Sequence, residues 1–333
     1  MPKIHIVDTT LRDGSHAVSH SFTTDQVKAV VAGLDASGLE FIELSHGDGI
    51  AGSSFNYGFS LVDELELLEA ANSVINNAKL TILLLPGIGT VEDLKVAQAK
   101  GATAVRVATH ITEADISQQH IVAAKKMDMF AVGFLMMAHM SSPEAIVEQA
   151  KLMQSYGADY LNIADSAGYL MPDDVKRRIE ALVEALEIPI GFHAHNNLNM
   201  AVANSLAAVE CGATYIDATL RGLGAGAGNT QLEVFQGVMQ RTGYDTGLDF
   251  YGLQDLAEKV LEPMMHRSQT VRTGSLMLGY TGVYSSFLLH VYNAGEKFEL
   301  DPRDILVELG RRNMVGGQED MIIDVAYQLS KAK

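Results

Sequence analysis

His193-Ala194-His195 closes the short apolar run Ile188-Pro189-Ile190-Gly191-Phe192, and it is where chemistry first becomes legible in this chain. Side chains alternate across a strand, so residues two apart share a face and both imidazoles point the same way. Near the N-terminus, Asp8-Thr9-Thr10-Leu11-Arg12-Asp13-Gly14 follows another strand-like run and sets a carboxylate beside a guanidinium. Two histidines and one carboxylate, with coordination positions left open, suit Mn, Fe, Co, Zn or Mg. Next to such an ion, Arg12 could clamp a carboxylate or stabilise a developing oxyanion. Without the ion, it is a partner in a loop salt bridge.

Other residues narrow the chemistry. His16 and His20 are four apart, the spacing of a zincin pair on a helix, but Gly14 and the neighbouring serines argue against a helix there. His16 reads better as a single general base and His20 as structural. No lysine ends a strand-like segment, so Schiff-base catalysis has no nucleophile. Enolate chemistry would have to rely on the metal. Asp165-Ser166-Ala167-Gly168 follows a strand and offers a hydroxyl or N–H to a substrate carboxylate. Gly222-Leu223-Gly224-Ala225-Gly226-Ala227-Gly228-Asn229 nominally fits a dinucleotide fingerprint but lies at the wrong end of the fold. It reads as a tight loop against a ligand, with Asn229 capping a helix or reaching the metal. Met136, Met137 and Met140 read as packing residues.

The elements that must position these residues alternate regularly. Strand candidates are Lys3–Asp8, Glu40–Ser45, Leu80–Leu84, Ala104–Ala108, Phe130–Leu135, Tyr160–Ile163, Pro189–His193 and Tyr215–Ala218. Amphipathic helical runs separate them, with starts at Thr24-Asp25-Gln26, Thr90-Val91-Glu92-Asp93 and Ser142-Pro143-Glu144. Eight βα units predict an α/β protein built as a (β/α)8 TIM barrel over 1–243; an open doubly wound sheet is the alternative. Gly38, Gly101, Gly157 and Gly212 recur at helix ends, the last three at an interval of two units. Functional residues of such barrels lie at the C-terminal strand ends, where His193, His195 and Asp13 all fall. Beyond Gly243 the strand pattern stops. Gly252–Met264, Tyr284–Ala294, Pro302–Arg311 and Met321–Ala332 predict a helical C-terminal domain, 244–333, that shapes the site and meets a partner.

Composition bounds the setting. With 333 residues, 47% of them hydrophobic, the chain has ample material for a core. A formal net charge of −17 argues against nucleic acid or an anionic membrane as partner. The single cysteine, Cys211, excludes an intrachain disulfide framework and a thiolate cluster. The N-terminus lacks a signal-peptide pattern and no run approaches a membrane span, so a reducing, cytoplasmic location is expected.

The chain resembles the DRE-TIM metallolyases, metal-dependent pyruvate aldolases and lyases whose signature is read here as Asp8 to Gly14. The likeness runs through His46-Gly47-Asp48-Gly49, Leu84-Leu85-Pro86-Gly87-Ile88-Gly89-Thr90, Gly191 to Asn197 and Gly279 to His290. It implies that Asp13, His193 and His195 hold Mn²⁺, or Co²⁺ or Mg²⁺ as a substitute, with Asn229 as a further candidate ligand. It also implies a 4-hydroxy-2-oxo acid substrate, 4-hydroxy-2-oxopentanoate, cleaved between C3 and C4 to pyruvate and acetaldehyde. His16 would be the base and Arg12 would stabilise the enolate. Ser166 and Tyr284 match substrate-contacting positions, with Leu83, Leu85 and Tyr284 candidates for setting chain length and stereochemistry. The implied partner is an acylating acetaldehyde dehydrogenase that binds NAD and coenzyme A and joins the chain in a hetero-oligomer. An acyl-CoA lyase or synthase of the same superfamily, a barrel metallohydrolase and a non-catalytic partner subunit remain alternatives.

Overall fold

In the computed structural model, residues 3–285, 287–315, 318 and 320–332 are described; Ser286, within one of the family-like stretches, lies outside them. Eight parallel strands close in chain order into one barrel: β1 (His5–Leu11), β2 (Phe41–Leu44), β3 (Lys79–Leu84), β4 (Ala104–His110), β5 (Phe130–Met136), β6 (Tyr160–Asp165), β7 (Ile190–Ala194) and β8 (Tyr215–Ala218). The expected TIM barrel is therefore present. Closure is direct, with His5 to Asp8 of β1 paired to Tyr215 to Ala218 of β8.

The outer ring comprises α1 (Thr24–Ala36), α2 (Glu64–Asn72), α3 (Val91–Ala99), α4 (Gln118–Lys126), α5 (Pro143–Ser155), α6 (Pro172–Ala185), α7 (Ala201–Glu210) and α8 (Leu232–Thr242). Local chemistry sets their ends. Thr23, one residue before the expected start, caps α1 by accepting from Gln26 N–H while the Gln26 side chain accepts from Thr23 N–H. Thr90 and Asp93 do the same for α3. Val175, Ile179 and Leu182 of α6 form one buried face against the sheet. Gly38, Gly101, Gly157 and Gly212 all have positive φ between helix and strand, which accounts for their recurrence.

The barrel interior is layered. Phe41, Ala104, Tyr160 and Tyr215, all from even strands, fill the lower end. Leu83, Ala108, Phe134 and Ala164 pack near the upper end. Between them, the even strands contribute Glu43, Arg106, Asn162 and Asp217, all buried and hydrogen-bonded to one another.

After the barrel come α9 (Phe250–Leu256), α10 (Thr273–Thr281), α11 (Phe287–Phe298), α12 (Pro302–Arg311) and α13 (Met321–Ala332). Leu253, Leu256 and Leu261 belong to the barrel's hydrophobic core, whereas Leu278, Phe287, Val291, Leu309 and Ile322 form a separate core. The sequence pattern missed α10. Its Gly274 and Gly279 lack side chains, and Gly279 lies so close to the barrel that a Cβ there would sit 3.0 Å from the Gly168 carbonyl oxygen. Ser142 and other caps were legible from type; this contact was not. Among the described residues, no helix is long and apolar enough to cross a membrane.

Candidate active site

The upper mouth of the barrel opens into a cavity of about 1420 Å³. Arg12, Asp13, His16, Ser166, His193, His195 and Tyr284 all line it, as do Leu83 and Leu85. Residues separated by up to 272 positions thus share one space, and among the described residues no lysine lines it.

β7 and β1 create the donor cluster. His193 lies within β7 and His195 follows it, so their rings emerge on one face and their Nε2 atoms approach to 3.4 Å. The Asp13 carboxylate completes a buried triad whose ligand atoms lie within 4.8 Å of one another. The β8 loop supports it from the other side: Asn196 N–H donates to the Gly228 carbonyl at 2.7 Å, placing Asn229 across from His195. Asn229 Nδ2 donates to Asp13 Oδ2, and Ala225 N–H adds a second bond at 3.3 Å. Asn229 is thereby on the site, with its Oδ1 lacking a hydrogen-bond partner among the described residues.

The donors fit a divalent cation. His193 Nδ1 is held by the Asp217 carboxylate at 2.8 Å, which leaves Nε2 with its lone pair towards His195. Burial pushes the His195 imidazole down to about 4, helped by His193 and Arg12 against the pull of Asp13, so it is neutral and able to ligate. Burial would raise the Asp13 carboxyl, but His195, Arg12, His16 and His193 together hold it far below its ordinary value. Gly224 leaves the required room, because a Cβ there would come within 2.6 Å of Asp13 Oδ2.

Arg12 is an anchored cation at the cavity floor. Its Nε donates to Glu43 Oε2 at 2.7 Å and its Nη1 to Asp13 Oδ1 at 3.0 Å. Burial disfavours the guanidinium charge, yet Glu43 and Asp13 outweigh it and raise its pKa. It remains positive beside any substrate in the cavity.

His16 sits on a six-residue 3-10 helix, Asp13–Val18, and not on an α-helix, because Ser19 and His20 turn left-handed immediately after it. A zincin-like helical pair is therefore not formed. His16, His20 and Asp48 nevertheless bring three ligand atoms within 4.8 Å at the cavity wall. His20 is engaged structurally: Nδ1 bonds Ser15 Oγ at 2.9 Å and its ring stacks on His46. His16 faces the cavity, and Gly47 passes directly beside its ring.

Ser166 and Tyr284 both line the cavity, and Ser285 Oγ donates to the Ser166 carbonyl at 3.5 Å. Ser166 Oγ accepts from Met137 N–H at 3.0 Å, which fixes the hydroxyl after β6. The tail is clamped over the mouth where His139 Nε2 meets the Gly282 carbonyl at 2.9 Å and Gln269 Nε2 meets Gly224 O at 3.3 Å. Those contacts carry half-buried Tyr284 into the cavity, where burial, with Asp48 and Asp13, raises its phenol pKa. Met136 packs against the upper layer and also lines the cavity.

Glu43, Arg106 and Asp217 are site-supporting residues that were not among the sequence candidates. The available signal was a single charge within each apolar strand: Phe41-Ile42-Glu43-Leu44, Val105-Arg106-Val107 and Ile216-Asp217-Ala218.

A barrel with this donor set agrees with the family comparison. The model described as HMGL-like matches residues 3–260, and one described as a DmpG-like communication domain matches residues 269–331. The chain belongs to the HMGL-like family, which depends on divalent metal. Within it, the chain is 67% identical over 330 residues to a 4-hydroxy-2-oxovalerate aldolase from Moorella thermoacetica, covering 99% of this chain and 98% of that protein. Against the 4-hydroxy-2-oxovalerate aldolase of Carboxydothermus hydrogenoformans the identity is 59%, with the same coverage. Among solved structures, the carboxyl transferase domain of Rhizobium etli pyruvate carboxylase with pyruvate superposes with a TM-score of 0.83 at 18% identity, covering 100% of this chain and 61% of that one. That last likeness concerns the fold alone.

Proposed function

We propose that this chain is a metal-dependent aldolase that cleaves 4-hydroxy-2-oxopentanoate to pyruvate and acetaldehyde. The observation that carries this reading is the convergence of Arg12, Asp13, His16, His193 and His195 on one cavity, in a chain so similar to full-length aldolases. Asp13, His193 and His195 hold the cation, Mn²⁺ in this proposal, with Asn229 Oδ1 available as a further oxygen. When bound, the cation supplies Lewis-acid polarisation of the 2-oxo group.

The residues divide the remaining work. His16 takes the proton of the 4-hydroxyl. The C3–C4 bond breaks, C4 leaves as the aldehyde carbonyl, and the bonding pair passes into the enolate of pyruvate. Arg12 faces the charge that develops on the enolate oxygen, while Glu43 and Asp13 fix its guanidinium. Ser166 sits where it can contact the substrate carboxylate, and Tyr284 closes the wall around the C4 substituent. Protonation at C3, with His16 giving up the proton it took from the 4-hydroxyl, then yields pyruvate and restores the base. Leu83 and Leu85 present apolar surface to the chain beyond C4.

The partner proposed is an acylating acetaldehyde dehydrogenase, which would receive the aldehyde and bind NAD and coenzyme A itself. Its support is the communication-domain match together with exposed Leu276, Tyr280, Leu289 and Tyr292 on α10 and α11. Interface cores favour such aromatic and aliphatic residues.

The test is pyruvate release from 4-hydroxy-2-oxopentanoate after chelation and again after Mn²⁺ addition. Metal-restored release, lost in His16→Ala and Arg12→Ala proteins that still bind Mn²⁺, is the expected result. No release from folded, metal-loaded protein would reject the substrate assignment and favour coenzyme A thioesters.

A further inference from the structure

Two of the three metal donors are joined beneath the site by an unbroken line of buried charges. Asp13 Oδ1 accepts from Arg12 Nη1 at 3.0 Å, and Arg12 Nε donates to Glu43 Oε2 at 2.7 Å. The same Glu43 oxygen accepts from Arg106 Nη1 at 3.2 Å. Arg106 Nη2 donates to Asp217 Oδ2, which also accepts from His193 Nδ1 at 2.8 Å. The line begins on one donor and ends on another, with signs alternating from Asp13 to Asp217.

Its middle is an unusual thing to bury. Glu43 and Arg106 are each 0% exposed, within a barrel whose neighbouring layers are mainly apolar. Well-packed apolar side chains stabilise such a layer at least as well, so fold stability is a weak reason for charges here. Nor is the cluster saturated as a structural salt bridge. Glu43 Oε1, Arg106 Nε and Asp217 Oδ1 have no hydrogen-bond partner among the described residues. Apart from Asn162 Nδ2, which donates to Asp217 Oδ2 at 3.2 Å, each bond made by these three side chains belongs to the line between Asp13 and His193. Phe134, under the guanidinium carbon at 4.4 Å, fixes the plane of Arg106 and lies edge-on to His193.

We infer that Arg106 is a positioning residue: by holding the Glu43 and Asp217 carboxylates together, it sets both the Arg12 guanidinium and the metal-facing Nε2 of His193. Asp217 fixes the His193 tautomer by accepting from Nδ1–H, and Arg106 fixes Asp217. Glu43 orients Arg12, and Arg106 fixes Glu43. One buried guanidinium thereby coordinates the cation's cradle with the group that stabilises the enolate. This rests on the metal-dependent aldolase reading, but its main readouts do not require turnover.

Mn²⁺ binding by electron paramagnetic resonance is measured for the full chain and for Arg106→Met, Arg106→Lys and Asp217→Asn, alongside thermal unfolding. Loss of an outer partner of a ligating histidine costs about 10- to 100-fold in metal affinity. Arg106→Met and Asp217→Asn should each weaken Mn²⁺ binding by at least tenfold, and Arg106→Lys should recover part of it. At saturating Mn²⁺, Arg106→Met should still show a lowered kcat with KM little changed, because Arg12 has lost its anchored partner. Folded variants that bind Mn²⁺ within threefold of the parent would overturn the inference while leaving the metal site standing. A parent chain that binds no Mn²⁺ would defeat the metal reading, and this inference with it. If the variants fail to fold, the parent itself decides: long-range 1H–15N correlation, assigned with His193→Gln, should show His193 protonated on Nδ1. Protonation on Nε2 instead would refute the ladder.

Discussion

Replacing Gly47 by alanine should disable His16 without touching the metal. A Cβ built at Gly47 falls 2.4 Å from His16 Nε2 and 2.5 Å from Cε1, and its three nearest atoms all belong to that ring. The backbone at Gly47 is not left-handed, so the strain is the contact with His16. Ordinary contact begins near 3.4 Å, so the imidazole must retreat by about 1 Å. His16 is half-buried on the cavity wall and has room to move, so the fold should survive. A displacement of about 1 Å in a proton-transfer group costs on the order of 100-fold in rate, or about 2.7 kcal/mol. The assay is kcat for pyruvate release at saturating Mn²⁺, with Mn²⁺ affinity and thermal unfolding measured in parallel. The expected result is a kcat roughly 100-fold lower, with metal affinity unchanged. In a His16→Ala background, the Gly47→Ala change should cost nothing further, since the groups that clash would be gone. A kcat within threefold of the parent, in a folded Gly47→Ala protein, would refute the assignment of His16 as the base held against this turn.

Arg12→Lys replaces a fork spanning Glu43 and Asp13 with a single ammonium; kcat should fall roughly 100- to 1000-fold with a smaller change in KM, measured by steady-state turnover. His195→Ala should abolish the rise in unfolding free energy that Mn²⁺ gives the parent, about 2.7 kcal/mol at 100 times the dissociation constant, read from denaturant melts with and without metal. A pH test falls on Glu64, which accepts from the His46, Ser53 and Ala51 N–H groups and whose carboxyl burial pushes up to about 7 from 4.5. The folded chain therefore holds a proton between those values that the unfolded chain has released, so this group's stabilisation is complete below pH 4.5 and lost as pH rises to 7. Glu64→Gln should gain on the parent across that window by on the order of 3 kcal/mol, seen in paired urea melts at pH 5 and pH 8. A constant difference between the two proteins would show that Glu64 does not retain the proton.

The barrel was legible from the residues alone, because strand runs and capped helices are local signals that each segment carries without its neighbours. Thr90 with Asp93 and the recurrent positive-φ glycines need no distant partner to act. His193 and His195 were legible for the same reason: a strand's period of two places both rings on one face without tertiary information. Asp13 was legible through the known order of barrel strands. Closure of the sheet, however, decided what lies between them. Glu43, Arg106 and Asp217 are single charges on strands β2, β4 and β8, and each alone reads as an oddity in an apolar run. They meet only because even strands of a closed barrel feed one interior layer. The docking of α10 against the Gly168 loop was hidden too, since its contact depends on an absent Cβ. Tyr284 is brought to the cavity by Gly282 and Gln269 bonding to barrel loops far from them in sequence. Periodicity records which face a side chain takes; which distant side chain it meets there is set by how the whole chain closes.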